Sequence, residues 1–183
     1  MHGLGVHVVV VRDNEVLLIK REDFEVWALP GGEIDTGERP VQTAVREVFE
    51  ETGLTVRLTC LVGLYSKPQW TNTNAVFAAE IVGGYLRAST AETRDSGFFD
   101  PANLPEPLLW WCRQEIQDAL NGIGGSTVWM QDAPWPTGTS GKLSRGEIYQ
   151  LRDASGLSRA AFYQSIFPQG AETPDVAGHI LKD

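Results

Sequence analysis

The sequence lacks the features that mark secreted, membrane-bound and cysteine-rich proteins. It contains only two cysteines, Cys60 and Cys112, among 183 residues, too few to suggest a disulfide framework or a zinc cluster. No apolar run approaches the ~18 residues that a membrane span needs, and no Lys/Arg-rich start resembles a secretory signal. We therefore expect a cytoplasmic protein that does not associate with membranes.

Basic residues are also scarce. Lys and Arg total 15 against 24 Asp and Glu, which gives a formal net charge of −9. Such a surface repels phosphate backbones, so general nucleic-acid binding is not expected. A small anion held through metal ions remains compatible with this charge. Hydrophobic residues make up 42% of the chain, enough for the core of one domain, with or without an extension.

The first 120 residues alternate between strand and helix patterns. Alternating valines around Asp13-Asn14 predict a β-hairpin with a tight turn. Pro40 and Gly53 mark the start and the end of a helix, although Arg39 is a poor residue for its N-cap position. The predicted elements are strands at 6–11, 16–19 and 27–29, a helix at 40–52, strands at 54–63, 74–82 and 97–100, and a helix at 104–120.

The composition changes in the last third of the chain, where Gly, Pro, Ser and Thr become frequent. Trp129 and Trp135 lie in this part, and such large aromatic side chains argue against a free linker. Ser144 and Ser158 are placed as N-caps of two short helices. We therefore expect this part to pack on the preceding core or on the partner subunit of a homodimer. The predicted division is a domain over residues 1–121 and an extension over residues 122–183.

Three carboxylates share one side of the predicted helix at 40–52. At about 100° per residue, Glu47, Glu50 and Glu51 fall within one arc of about 100°. Glu47 and Glu51 repel each other by about 0.2–0.5 kcal/mol even when exposed, and Arg46 relieves only part of this. The pattern fits either a solvated acidic face or a site for a hard divalent cation, Mg²⁺ or Mn²⁺ rather than zinc. The adjoining apolar face consists of Val41, Ala44, Val45, Val48 and Phe49.

Nine residues occur at fixed spacing between positions 32 and 54: Gly32, Glu38, Arg46, Glu47, Val48, Glu50, Glu51, Gly53 and Leu54. They match every fixed position of the signature of the Nudix hydrolases, which the segment therefore closely resembles. The sequence WALPG before this box, and GFF followed by LP after it, resemble the same family. The resemblance covers roughly residues 4–120 and leaves the extension outside.

The resemblance implies a fold and a reaction. The fold would be α+β, with a mixed β-sheet sandwiched between α-helices. The reaction would be attack of water on phosphorus in a nucleoside diphosphate linked to another group, with a divalent metal as cofactor. By the same resemblance, the metal ligands would be Glu47, Glu50, Glu51 and the Gly32 carbonyl.

The resemblance also implies supporting roles. Arg46 would orient the carboxylates through an ion pair, Glu38 would brace the loop, and Gly53 would serve the structure of the box. One box carboxylate could act as the general base instead of binding metal. Glu92 and Asp95, expected in a loop before the last strand, are further candidates for the base or for an added metal; the alternative is that they are solvated loop charges.

The sequence says less about the group that is linked to the nucleoside diphosphate in the substrate. Trp70, Tyr65 and Phe24 are candidates for stacking on a base, although each could equally pack in a core. Pro68 follows Gly53 by fifteen positions, a feature associated with members that cleave ADP-ribose. We therefore expect a nucleoside diphosphate sugar as substrate. The alternatives are a nucleoside triphosphate pyrophosphohydrolase and a non-catalytic nucleotide-sensing domain.

Overall fold

The computed structural model describes residues 2–125, 127–139 and 141–175, and the end of the predicted extension lies outside these residues. None of the helices in the described ranges is long and apolar enough to cross a bilayer. The elements are β1 (Gly3–Arg12), β2 (Glu15–Arg21), β3 (Trp27–Ala28), β4 (Gly31–Glu33), α1 (Pro40–Thr52), β5 (Leu54–Lys67), β6 (Asn72–Gly84), β7 (Thr93–Phe99), α2 (Cys112–Leu120), β8 (Thr127–Asp132), β9 (Thr137–Gly138), β10 (Gly141–Lys142), α3 (Arg145–Ala154), α4 (Arg159–Ile166) and β11 (Ala171–Pro174).

The large sheet is mixed. Its strand order is β11-β8-β5-β6-β1-β2-β3, with β4 added to β1 and β7 to β2. The β1–β6 and β5–β8 pairs are parallel, whereas the other pairs in this sheet are antiparallel. Strand β1 pairs on one side with β4, where His7 lies opposite Gly31, and on the other with β6. The signature segment Gly32–Leu54 therefore begins in β4, which is hydrogen-bonded to the large sheet.

Alternation along β1 divides the core between the two faces of the sheet. Val6, Val8 and Val10 lie in the apolar cluster that includes Ala44 and Val48 of α1. The opposite face carries a second, larger cluster, to which α2, α3 and α4 contribute. This arrangement confirms the α+β fold with a mixed sheet between helices.

The local signals for the hairpin and for α1 are confirmed. Asp13 and Asn14 adopt positive φ angles of 52° and 66°, as a two-residue hairpin turn requires. Gly53 ends α1 in the left-handed conformation with φ 75°, and its N–H donates to the Phe49 carbonyl at 2.8 Å. At the other end, Arg39 provides no side-chain cap; its own backbone N–H donates to the Gln42 side chain at 3.1 Å.

Two predictions about helices are wrong in part. On α1, Val41 and Phe49 are 43% and 46% exposed rather than packed. The second helix covers only Cys112–Leu120 and not the whole of 104–120. Before Cys112 the chain instead binds to β3, because Trp27 donates its N–H to the Pro107 carbonyl and accepts from the Leu109 N–H. Proline also lacks the N–H that a helix interior needs.

The strands at 54–63, 74–82 and 97–100 are present but differ from the prediction at their ends. Strands β5 and β6 are longer and form an extended antiparallel pair, while β7 covers Thr93–Phe99 and excludes Asp100. Strands β8 and β11 lie in the segment for which only helices were predicted. They continue the large sheet beyond β5.

Candidate active site

Helix α1 is held against the sheet by one face and presents carboxylates on another. Ala44 and Val48 are fully buried in the core cluster on that side of the sheet. This anchoring leaves Glu47 only 9% exposed and Glu51 only 7% exposed. Glu50 lies at the surface. Two of the three acidic side chains are thus buried, which is unusual for glutamates.

Arg46 connects these carboxylates to the preceding loop. Its Nε and Nη2 both donate to the Glu38 carboxylate at 2.9 Å, which is a bidentate pair. Its Nη1 donates to Glu47 and to Glu50, each at 2.9 Å. Thr43 adds a hydroxyl donor to Glu38 at 2.7 Å. One guanidinium therefore holds the loop and aims two of the helix carboxylates.

The glycines before α1 bring the backbone of β4 against the same carboxylates. Gly31 donates its N–H to Oε2 of Glu51 at 2.9 Å. A Cβ atom on Gly32 would lie 2.4 Å from Oε1 of Glu47, closer than any real contact. A side chain at position 32 would therefore displace the Glu47 carboxylate from its place beside the backbone.

The electrostatics of the site differ from one carboxylate to the next. The hydrogen bonds from Arg46 lower the pKa of Glu38 to about 2. Burial raises the pKa of Glu47. Burial, together with the Glu47 charge, raises the pKa of Glu51 to about 8, against the hydrogen bond from Gly31. The site thus disfavours negative charge on the buried Glu47 and Glu51, whereas Arg46 favours it on Glu38.

This pattern fits a divalent cation. The donors are carboxylate oxygens next to a backbone stripped of side-chain bulk, the ligand type that Mg²⁺ and Mn²⁺ prefer. The raised pKa values of Glu47 and Glu51 show that positive charge at this place would be stabilising. Glu47, Glu50 and Glu51 could hold such an ion, with the Gly32 carbonyl beside them.

The two acidic residues predicted outside the box lie in different places. Glu92 is exposed, and its charge contributes to the raised pKa values of both Glu47 and Glu51. It is therefore close to the buried carboxylates. Asp95 is not in a loop but inside β7, where it pairs with Lys20 of β2 and accepts the Ser96 N–H.

Arg21 is a residue near the site that the sequence analysis missed. It ends β2 and donates to the Asp23 carboxylate from Nε at 2.9 Å and from Nη2 at 2.6 Å. Its charge acts on Glu51, whose pKa it lowers. The available signal was a basic residue at the end of an apolar strand, which is too common to single out.

Of the three aromatic residues predicted to stack on a base, two are buried. Tyr65 has no exposed surface, and its hydroxyl donates to Asp118 at 2.7 Å, so its ring cannot meet a substrate in this arrangement. Phe24 is 7% exposed and is surrounded by aromatic rings of α3 and α4 and by Phe167. Trp70 is half-buried and packs edge-on against Trp111 and Trp135.

A sheet that carries a loop–helix–loop of glycines and carboxylates defines a class of hydrolase, and comparison with known proteins identifies its family. The family model described as the NUDIX domain matches residues 1–119. The chain therefore belongs to the Nudix hydrolase family. Members of this family use divalent metal ions, and the protein is a Nudix pyrophosphohydrolase, as are its relatives.

Individual relatives carry different names. A putative 8-oxo-dGTP diphosphatase of Bacillus subtilis is 34% identical over 134 residues, covering 73% of this chain and 90% of the relative. An ADP-ribose pyrophosphatase of Methanocaldococcus jannaschii is 36% identical over 130 residues, covering 67% and 76%. Among solved structures, an ADP-ribose pyrophosphatase from Streptococcus suis aligns with a TM-score of 0.61 at 25% identity, covering 71% of this chain and 98% of that chain.

Proposed function

We propose that this protein hydrolyses the diphosphate of a nucleoside diphosphate sugar such as ADP-ribose, with Mg²⁺ or Mn²⁺ as cofactor. Water adds its oxygen to one phosphorus and the bridging P–O bond breaks, which yields a nucleoside monophosphate and a sugar phosphate. The observation that carries the proposal is the buried pair Glu47 and Glu51 beside the exposed Glu50. A divalent cation would stabilise the charge of these carboxylates.

In the proposed site, Glu47, Glu50, Glu51 and the Gly32 carbonyl would hold the metal. A divalent metal there would neutralise the charge of the diphosphate, polarise phosphoryl oxygens and lower the pKa of a bound water. Arg46 keeps Glu47 and Glu50 aimed at the site through its hydrogen bonds to both. Positioning and charge stabilisation make up most of what phosphoryl transfer requires.

Glu92 is our candidate for the group that accepts the proton of the attacking water. It is exposed, so solvent reaches it, and it is close enough to influence Glu47 and Glu51. Glu92→Gln should lower kcat by about 10²–10⁴, the usual contribution of general base catalysis, with KM little changed. Asp95→Asn is the matched control, because Asp95 lies in β7, and it should keep wild-type kcat. Equal losses in both variants would contradict this role.

Support for a nucleoside diphosphate sugar comes from two sources. Relatives named ADP-ribose pyrophosphatase occur among both the similar sequences and the similar structures. The second source is Pro68, whose spacing of fifteen positions from Gly53 is associated with family members that cleave ADP-ribose. Pro68 begins the short 3₁₀ turn Pro68–Trp70 between β5 and β6. Trp70 is the only one of the three aromatic residues proposed to stack on a base that keeps appreciable exposed surface.

The test is a substrate panel with product identification in ¹⁸O-labelled water. It compares ADP-ribose, other sugar nucleotides, dinucleoside polyphosphates, coenzyme A and nucleoside triphosphates, including 8-oxo-dGTP because of the Bacillus subtilis relative. We expect AMP and ribose phosphate from ADP-ribose, with the label in a phosphate. Pyrophosphate released from a triphosphate, with sugar nucleotides untouched, would overturn the substrate but keep the reaction. Label in a sugar hydroxyl would overturn the reaction itself.

The alternative of a sensing domain without turnover is tested by Glu50→Gln. Glu50 is exposed, so the substitution should leave the fold intact while removing one metal ligand. A loss of several kcal/mol of transition-state stabilisation corresponds to roughly a thousandfold in kcat at about 1.4 kcal/mol per tenfold. If wild type and Glu50→Gln show the same absence of Mg²⁺-dependent turnover over the whole panel, the sensing alternative is favoured.

We also propose that residues 122–183 form an extension that helps to shape the site. Arg152 donates to the Asp23 carbonyl at 2.7 Å and Arg159 to the Glu22 carbonyl at 2.6 Å, which ties α3 and α4 to the loop after β2. In the same loop, Glu22 donates its N–H to the Glu92 carbonyl at 3.0 Å. The extension thus holds the loop whose Glu22 is hydrogen-bonded to the backbone of the proposed base.

Light scattering would show whether the protein is also a homodimer. The two free cysteines fit a reducing, cytoplasmic setting.

A further inference from the structure

A second group of potential metal ligands lies on the face of the sheet opposite α1. It consists of His7 from β1 and of Cys112 and Glu115 from the first turn of α2. Cys112 and Glu115 are three residues apart and therefore point to the same side of the helix. One nitrogen, one sulfur and one carboxylate oxygen all lie within 4.8 Å of one another. The shortest separation is 2.7 Å, between Nδ1 of His7 and Oε2 of Glu115.

One buried polar atom of this group has no hydrogen-bond partner among the described residues. Glu115 and Cys112 are completely buried, and Oε1 of Glu115 has no hydrogen-bond partner among the described residues. A buried polar atom left unpaired costs about 1–3 kcal/mol, and more when it is charged. This carboxylate oxygen lies next to a thiol and an imidazole, so a metal ion bound by all three groups would give it a partner.

We propose that His7, Cys112 and Glu115 bind one zinc ion. Imidazole nitrogen, thiolate sulfur and carboxylate oxygen are the three ligand types that zinc accepts, whereas Mg²⁺ avoids sulfur. When the zinc–sulfur bond forms, the Cys112 thiol would lose its proton to solvent. The thiolate and the carboxylate would then balance the two positive charges of the ion, so the ion and its ligands would together be neutral. A water molecule would be needed as the fourth ligand of a tetrahedral site.

The surroundings of the three ligands bear on this site in two ways. Nδ2 of Asn74 lies 3.0 Å from Nε2 of His7, and the amide would have to turn its oxygen toward this nitrogen to accept the N–H that a metal-bound histidine carries there. Lys67 is buried, its Nζ has no hydrogen-bond partner among the described residues, and its charge acts on Glu115 and Cys112.

A zinc ion here would join α2 to β1 at the residue that pairs with Gly31. Gly31 is also the backbone donor to Glu51. The zinc would therefore act as a structural link behind the active site. This role is independent of the proposed substrate, because the ion lies on the opposite face of the sheet from the box helix.

Cobalt(II) substitution tests the proposal without an activity assay. Metal-free protein titrated with Co²⁺ should develop a thiolate-to-cobalt charge-transfer band and the intense visible bands of a tetrahedral site, and one equivalent of Zn²⁺ should abolish both. The box offers only oxygen ligands, so Co²⁺ bound there gives no thiolate band. Cys60→Ser is the matched control, since Cys60 is exposed and Cys112 is the only other cysteine. It should keep the band, and Cys112→Ser should lose it.

A second variant covers the case in which Cys112→Ser does not fold. Glu115→Gln keeps the shape and the thiol but removes the charged ligand, so its zinc affinity in competition with Co²⁺ should fall at least tenfold. Absence of the thiolate band in folded wild type saturated with Co²⁺ would overturn the proposal, as would its loss in Cys60→Ser. The cluster would then be a buried histidine–glutamate pair. Failure of the proposed hydrolysis would leave the cobalt spectrum unchanged, so the two outcomes are distinguishable.

Discussion

The buried carboxylate of Glu51 makes the stability of the metal-free protein depend on pH. Its pKa rises from 4.5 in the unfolded chain to about 8 in the folded protein. The folded state therefore prefers the protonated form. The stability that this provides is fully present below pH 4.5 and is lost progressively as the pH rises to about 8.

The size of the effect follows from the shift in pKa. A difference of about 3.5 between 4.5 and about 8, at 1.36 kcal/mol per pKa unit, corresponds to a free energy of about 5 kcal/mol. For a chain of this length 1 kcal/mol shifts Tm by roughly 2–4 °C, so the loss of stability corresponds to a decrease in Tm of roughly 10–20 °C. The pKa of Glu47 is raised in the same direction and adds to the loss.

The assay is thermal and urea unfolding in EDTA at pH 5.5, 7 and 8.5. Wild type should lose stability steadily across this range, and Mg²⁺ at millimolar concentration should restore it at pH 8.5. Glu51→Gln removes the charge, and its amide oxygen can still accept the Gly31 N–H, so its stability should vary much less with pH. Glu50→Gln, at an exposed position, should follow wild type. If wild type and Glu51→Gln lose stability equally between pH 5.5 and 8.5, the buried charge is not the cause.

Three further predictions follow from packing and contacts. Gly32→Ala should weaken Mg²⁺ binding, measured by calorimetry, because its Cβ would displace the Glu47 carboxylate; unchanged affinity would contradict this. Arg46→Gln should lower kcat at least tenfold with a small change in Tm, because its loss releases Glu38, Glu47 and Glu50; wild-type kcat would refute the orienting role. Phe162→Ala, at 4% exposure, should cost about 3–5 kcal/mol in urea unfolding, whereas Leu157→Ala, at 53% exposure, should cost less than about 0.5 kcal/mol.

Features that depend on a few neighbouring residues were predictable from the sequence. The hairpin turn needs only Asp13 and Asn14 to adopt positive φ angles, and the end of α1 needs only Gly53 in the left-handed conformation. The carboxylates Glu47, Glu50 and Glu51 share a side of α1 because helical spacing places them there. The capping pattern at Ser144 works in the same way, since its side chain binds the N–H of Glu147.

Features that depend on distant partners were decided by the tertiary structure. Residues 104–111 fail to become helical because β3, about 80 residues earlier, takes their hydrogen bonds. In the sequence, Tyr65 and Phe24 could either stack on a base or pack in a core. The structure buries both: Tyr65 binds Asp118, and rings of α4 pack against Phe24.

The same reason explains the clustering of side chains that the sequence keeps apart. His7 and Glu115 are separated by 108 positions, and no periodicity relates residues at that distance. Burial and side-chain partnership arise only when strands pair and helices pack on them. The sequence alone therefore determined the turns, the caps and the acidic helix, whereas packing alone decided which of the polar and aromatic side chains meet.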